Sequence, residues 1–218
     1  MRMRAAREHL IAVLGVAAGL VAALTAGASA HPHVWITVET TVLYDKGEFT
    51  GLQHKWTFDE FYTAMAIEGL DKNKDGIYDR EELAELAKVN IEGLKEFGYF
   101  TYPVLAGQDV KLQDVRDYWL EHKDNALSLH FTVPFAQPIS PKAKDFAFVV
   151  QDPQFFIAFL PAKTDPVKFS EGAPKSCKAT IGNPKSDNGD ADRLAKAFAQ
   201  LASPVSATKA VSIDCPGP

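Results

Sequence analysis

The stretch VWITVETTV, residues 34–42, alternates apolar and polar side chains and is rich in β-branched residues. A period of two predicts a half-buried strand, here with the even-numbered side chains on the buried face. The turn residues DKG follow at 45–47, and residues 49–58 are expected to return as the second strand of a hairpin. This hairpin is the starting point for a β-rich body.

Further short extended segments indicate that the body is an antiparallel β-sandwich. They lie at residues 99–105, 110–120, 127–133, 146–151, 155–160, 178–181 and 210–213. Residues 161–174, which contain Pro, Lys and Gly, are expected to be a connection. Residues 190–202 are expected to form a helix near the end of the chain.

Residues 59–70 and 79–97 interrupt the β pattern with a composition typical of helices. Both segments are rich in Ala, Leu, Glu and Lys, and their apolar residues are spaced three or four apart. Gly98 is expected to end the second helix, because glycine is favoured just past a helix C-terminus. The sequence therefore predicts two helices inserted into the β-rich body.

Between the two predicted helices lies DKNKDGIYDREE, residues 71–82, which matches the EF-hand calcium loop D-x-[DN]-x-[DN]-G-x5-E at every specified position. Calcium takes about six to eight oxygen ligands, which such a loop supplies from fixed positions. The expected ligands are Asp71, Asn73, Asp75, the backbone carbonyl of Ile77, Asp79 and Glu82. Because the sequence contains one such loop, we expect a structural site and not a calcium switch. The alternative is an acidic helix–turn–helix without an ion.

Residues 1–30 have the pattern of an export signal. Three arginines precede the uncharged apolar stretch 10–24, and small residues at 27–30 suit a signal peptidase. The apolar stretch is about fifteen residues long, shorter than the roughly twenty needed to span a bilayer, so cleavage is favoured over an uncleaved membrane anchor. The prediction is a periplasmic protein whose mature chain begins at His31.

The mature N-terminus would read His31-Pro32-His33. A terminal histidine presents its α-amine and imidazole together, which suits a metal such as copper, nickel or zinc. His33, two residues further along an extended chain, would point to the same side. The alternative is that these histidines bind nothing.

Two further side chains are candidates for completing this transition-metal site. His54 lies in the strand expected to pair with the strand that His33 precedes, and Asp152 lies in an Asp-Pro pair between two predicted strands. The alternatives are that His54 has no metal role and that Asp152 is a turn residue. His122 and His130 are interpreted as residues of the sheet surface.

Cys177 and Cys215 are the only cysteines, which excludes zinc-finger and iron–sulfur frameworks. In an oxidising compartment a disulfide is their expected state, and without a C-x-x-C spacing it is favoured over a pair of soft metal ligands. The chain has 23 basic and 28 acidic residues, a net charge of -5. This balance argues against nucleic acid as a partner and favours cation binding.

Together these patterns predict an α+β fold. Its body, residues 31–160, is an antiparallel β-sandwich-like domain with a helix–calcium loop–helix insertion at 59–98. Residues 161–218 are expected to form a linker and a small C-terminal part closed by a disulfide between Cys177 and Cys215.

Several of these segments together resemble the bacterial family called domain of unknown function 1007. The likeness lies in HPHVWI at 31–36, WTFDE at 56–60, the Asp-rich loop and the Asp-Pro pair at 152–153, and it covers roughly residues 31–160. Members are described as periplasmic components of an uncharacterised ABC-type transport system and are often encoded beside nickel/cobalt or zinc transport proteins. The resemblance implies a periplasmic location and a metal-handling context, without a mechanism.

The leading functional hypothesis is a non-enzymatic, periplasmic metal-binding accessory protein. It would capture zinc, nickel or cobalt for a membrane metal transporter and hold a structural calcium ion. A copper oxidase or monooxygenase of the histidine-brace type is the enzymatic alternative, because an N-terminal histidine on a β-sandwich is its main requirement. The third hypothesis is a calcium-stabilised interaction protein without a transition-metal role.

Overall fold

The computed structural model describes residues 32–182 and 209–216, and all structural statements refer to them. This part of the chain has a mixed α+β fold dominated by strands. The strands are β1 (Val34–Asp45), β2 (Glu48–Phe58), β3 (Thr101–Leu105), β4 (Gln108–Asp109), β5 (Tyr118–Lys123), β6 (Ala126–Ile139), β7 (Phe146–Val150), β8 (Ile157–Pro161), β9 (Val167–Phe169), β10 (Lys178–Gly182) and β11 (Ala210–Asp214); the helices are α1 (Glu60–Ala66) and α2 (Ala84–Lys95). The predicted signal peptide, His31 and the predicted helix at 190–202 lie outside the described residues.

The first sheet is built on the predicted hairpin. Its strand order is β5-β6-β2-β1-β8, with β9 also paired to β1. The β1–β2 turn places Lys46 and Gly47 at φ of 49° and 94°, and the β5–β6 turn places Asp124 and Asn125 at 52° and 58°. Two successive positive φ values match the twist of paired strands, which is why Gly, Asn and Asp favour such turns. The turn predicted at residues 45–47 is therefore confirmed.

The second sheet has the order β10-β11-β7-β3-β4, and the pairs in it are antiparallel. The sequence suggests a small C-terminal part separate from the body. Instead, β11 pairs with β7, with Val211 opposite Phe148, so the C-terminal strands complete this sheet. The order of strands in this sheet could not be predicted from the sequence, because neighbouring strands such as β7 and β11 lie far apart along the chain.

The expectation of an antiparallel body is wrong at one edge of the first sheet. Both β8 and β9 run parallel to β1. After β7 the chain passes from the second sheet to the first, and it enters beside β1 in the same direction. An alternating pattern reports which face of a strand is buried and is silent on direction, so this pairing was not predictable.

The inner face of the first sheet is covered by two different structures. At one end, Phe49 and Leu52 pack against Phe146 and Phe148 of the second sheet. At the other end, the sheet packs against the insertion, including Leu83, Ala87 and Ile91. The insertion therefore takes the place of the second sheet over part of the core.

The structure corrects the lengths of three predicted elements. The helix predicted at 59–70 ends at Ala66, near Gly69, which has a φ of 77° that is unfavourable for helix continuation. The helix predicted at 79–97 begins at Ala84, after a turn at 80–83. The strand predicted at 110–120 starts only at Tyr118. The residues before Tyr118 lie beside Pro134. The carbonyl of Pro134 accepts the N–H of Gln113, but proline has no N–H to donate in return, so a regular ladder of hydrogen bonds cannot form.

No helix in the described ranges is long and apolar enough to cross a membrane.

Candidate metal centres

The acidic loop at 71–82 joins the end of α1 to the start of α2. Glu82 is 8% exposed, whereas most of the loop is exposed. Its Oε1 accepts the N–H of Lys72 at 2.8 Å, and its Oε2 accepts the N–H of Asp79 at 3.3 Å. The last predicted calcium ligand is thus folded back onto the beginning of the loop.

The other loop ligands are held by backbone N–H groups. Asp71 accepts from Asp75 at 3.2 Å and from Gly76 at 3.0 Å through its two oxygens. Asn73 Oδ1 also accepts from Asp75, and Asp75 Oδ1 accepts from Ile77 at 2.7 Å. Gly76 has a φ of 79°, so the glycine predicted for the sharp turn is in the conformation that requires it. The side chains of these predicted ligands offer oxygen atoms, the donors that a hard cation such as calcium prefers.

The second half of the loop packs against β5. The ring centroids of Tyr78 and His122 are 4.9 Å apart. The guanidinium carbon of Arg80 lies 4.8 Å from the ring centroid of Trp119, which in turn stacks on His130 at 4.7 Å. The eighth position of an EF-hand loop normally meets a partner loop, and here it meets a strand of the sandwich. This contact was not predicted; the feature of the sequence that indicates it is the aromatic residue, Tyr78, at the eighth position.

His33 lies at the surface immediately before β1. Its backbone N–H donates to the carbonyl of Phe156 at 2.9 Å, and its ring centroid is 4.6 Å from that of Phe156. The start of the described chain is therefore held against the turn that follows β7. His31, the other predicted terminal ligand, is not among the described residues.

His54 is fully buried between the two sheets. Its Nδ1 is 3.0 Å from the hydroxyl of Thr40, and its Nε2 is 3.2 Å from the hydroxyl of Thr101. Thr101 donates its proton to the carbonyl of Tyr99, so it must accept from Nε2–H, and Nδ1 accepts from Thr40. Burial lowers the pKa of His54 from 6.5 to about 3. Both ring nitrogens are therefore engaged in the core.

The structure does not bring His54 and His33 together. The register of the hairpin places His54 opposite Thr40, seven positions along β1 from His33. At about 3.3 Å per residue the two histidines are separated by roughly 23 Å along the strand. A hairpin joins residues at equal distances from its turn, and His54 is much closer to the turn than His33 is.

Asp152 lies in the turn between β7 and β8 that also carries Phe156, the contact of His33, and it is 7% exposed. Its Oδ1 accepts the N–H of Gln154 at 2.9 Å, and its Oδ2 accepts the N–H groups of Phe156 at 2.9 Å and Ile157 at 3.0 Å. The carboxylate thereby fixes the turn that carries Phe156 against His33. Its oxygens are largely used by the backbone.

The predicted disulfide between Cys177 and Cys215 is confirmed. It lies at the end of the β10–β11 pair, next to Lys178 and Asp214, which are opposite each other. A disulfide in the body of the fold indicates an oxidising, extracytoplasmic environment. Over the described ranges, 32–182 and 209–216, no group of three or more His, Cys, Asp or Glu side chains is arranged to hold a metal ion.

Comparison with known proteins places these features in a family. The chain is similar to an uncharacterised protein of Haemophilus influenzae, with 26% identity over 161 residues that cover 74% of this chain and 77% of the relative. The model of the family described as "Protein of unknown function (DUF1007)" matches residues 16–211, most of the chain. The chain therefore belongs to the DUF1007 family.

Proposed function

We propose that this protein is an exported, periplasmic accessory protein of a transition-metal transport system. It binds zinc, nickel or cobalt through its N-terminal histidines for a membrane transporter and holds calcium in the loop at 71–82 as a structural element. The disulfide supports export, since such bonds persist in oxidising compartments. The calcium part of the proposal depends most on the return of Glu82 onto the start of the acidic loop.

The calcium part of the proposal is supported by the charge of this loop. Asp71, Asp75, Asp79 and Glu82 place carboxylates within twelve consecutive positions, and their hydrogen bonds come from neutral donors, namely backbone N–H groups and the side-chain amide of Asn73. Such bonds orient the carboxylates but do not remove their mutual repulsion. A calcium ion would neutralise this repulsion and use the oxygen-only donor set.

Calorimetric titration with calcium tests this part directly. Wild-type protein is expected to bind one calcium ion, and saturation at a hundredfold excess over Kd should raise the free energy of unfolding by about 2.7 kcal/mol. Glu82→Gln should lose most of the affinity, because it removes the charge of the bidentate ligand. Glu85→Gln, an exposed acidic position in the first turn of α2, is the matched control and should bind normally. Binding that is absent from the wild type, or equal in Glu82→Gln, would refute the calcium site.

The transition-metal part is supported by the position of His33. This side chain lies at the surface, two positions after His31, the residue whose α-amine and imidazole would begin the mature chain. Asp152 supports the site by fixing the turn against which His33 packs. His54 is left out of the proposed ligand set, because both its nitrogens are hydrogen-bonded in the core.

Metal titration of the mature protein, with its first residue verified by mass spectrometry, tests this part. Zinc, nickel or cobalt should bind the chain that begins at His31, and replacing both His31 and His33 by Ala should abolish the binding. A chain with one extra residue before His31 should bind more weakly, because its α-amine is displaced from the imidazole. His130→Ala is the control histidine variant. Unchanged binding in the double variant would contradict the proposal.

A calcium-stabilised interaction protein without a transition-metal role is a second candidate. It is favoured by the burial of His54 and by the backbone hydrogen bonds that occupy Asp152. In that case calcium alone would raise the melting temperature. The histidine-brace copper enzyme receives no support from His54, whose ring nitrogens are already bonded.

A further inference from the structure

A cleft of about 430 Å³ follows α2 along its length. One wall is formed by helix residues spaced three or four apart, including Leu86, Val89, Gly93 and Phe97. The opposite wall is the turn after β7, including Asp152 and Phe156. This cleft is separate from the acidic loop, and it has the volume of a binding site.

The cleft exposes an unusual amount of apolar surface. Val89 is 57% exposed, Phe97 is 50% exposed and Phe156 is 46% exposed. Single exposed apolar residues are ordinary in soluble proteins, whereas several around one concave surface indicate an interaction site. The cleft therefore has the composition of a surface that another molecule covers.

Gly93 lies in the middle of this surface, inside α2. Glycine in a helix interior destabilises the helix by about 1 kcal/mol relative to alanine. An added Cβ at Gly93 would meet no atom within 4 Å, so packing within the chain does not require a glycine. The missing side chain keeps the centre of the cleft open.

The charges around the cleft are mainly acidic. Glu85, Glu92 and Glu96 are exposed and lie three or four positions from the cleft residues Val89 and Gly93, which places them beside the cleft on the helix surface. Of the two basic residues of α2, Lys95 is paired with Asp114 at 2.7 Å, and Lys88 does not line the cleft. A complementary occupant would therefore combine apolar side chains with basic ones.

We propose that the cleft binds a basic amphipathic helix of a partner protein. From Leu86 to Leu94 the lined face of α2 extends roughly 12 Å, about two turns of helix, and Phe97 continues it just after the helix ends. A helix with apolar residues at i, i+3, i+4 and i+7 would fill such a groove, and its basic residues would face the glutamates. A helix face offers no free backbone groups for strand addition, so an extended peptide fits less well. This inference goes beyond the proposed metal function and does not depend on it.

Calorimetry with two synthetic peptides tests the proposal. Both have about fifteen residues with leucine at the i, i+3, i+4 and i+7 positions, and the remaining positions are lysine in one and glutamate in the other. The lysine peptide should bind the wild-type protein one to one, at least about tenfold more tightly than the glutamate peptide. Equal binding of the two peptides, or no binding of the lysine peptide, would overturn the proposal.

Gly93→Leu provides the decisive variant, because it fills the cleft without disturbing the fold. Leucine has a higher helix propensity than glycine and has open space at this position, so the melting temperature should not fall. Binding of the lysine peptide should weaken at least about tenfold. Ala84→Leu adds leucine to the same helix at an exposed position that does not line the cleft, leaves the charge unchanged, and should bind as the wild type does. Equal binding to Gly93→Leu and wild type would refute the cleft as the binding site.

Discussion

The sandwich interior and the acidic loop both contain polar side chains, but the two regions provide hydrogen-bond partners for these side chains in different ways. In the interior, Thr40, His54 and Thr101 form a buried, neutral series in which each hydrogen-bonding group meets a protein partner. In the loop, Asp71 and Asp75 are exposed or half-buried carboxylates that backbone N–H groups and the Asn73 amide orient.

This difference separates a structural polar group from a candidate ligand. An unpaired buried polar group is costly, and at His54 both ring nitrogens are paired within the protein. A cation site must keep negative charge that the protein itself does not neutralise. By this criterion the loop at 71–82 is a better candidate site than His54, although the sequence indicates both as candidates.

The largest expected effect tests whether the stability of the sandwich is independent of calcium binding by the loop. Replacing Cys177 and Cys215 by Ser should lower the free energy of unfolding by about 3–4 kcal/mol, since the bond closes a long loop in the unfolded chain. The two cysteines are separated by 38 positions. The loss, measured by urea unfolding, should be equal with and without calcium. A loss that calcium reverses would mean that the two regions are coupled.

A smaller effect concerns the pH dependence that His54 gives to the sandwich. Its pKa is about 3 in the folded state and near 6.5 when unfolded, so the unfolded chain takes up the extra proton as the pH falls below 6.5. The stability that neutral His54 contributes is therefore lost as the pH falls from about 6.5 towards about 3. Urea unfolding at pH 6, 5 and 4 should show a shallower slope for His54→Asn. Parallel slopes would show that His54 is not held neutral in the core.

The smallest effect concerns the contact between the two regions. Tyr78→Ala should weaken calcium binding by about fivefold, or about 1 kcal/mol, because an aromatic pair contributes roughly that much to holding the loop on β5. Ile77→Ala, at the neighbouring position, is the matched control. The side chain of Ile77 is 65% exposed, and only its backbone carbonyl is a predicted calcium ligand. Equal calorimetric affinities for the two variants would show that the contact with His122 does not position the loop.

The local elements were largely predictable from the sequence. The hairpin of β1 and β2, its glycine turn, and the strands at 178–182 and 210–214 follow from alternation and turn residues. The boundaries of the helices were less well predicted, because the loop's own hydrogen bonds occupy residues 79–83. The parallel pairing of β8 with β1 was not predictable, since alternation carries no directional information.

For the candidate sites, the sequence determined which side chains could bind and at what spacing, because ligand chemistry depends on residue type and the loop at 71–82 is contiguous. The tertiary structure alone decided what depends on distant partners. It buried His54 between two threonines from different sheets, bonded Asp152 to the turn on which His33 packs, and opened a cleft along α2. The physical reason is that burial and hydrogen bonding are set by residues far apart along the chain, which local spacing does not specify.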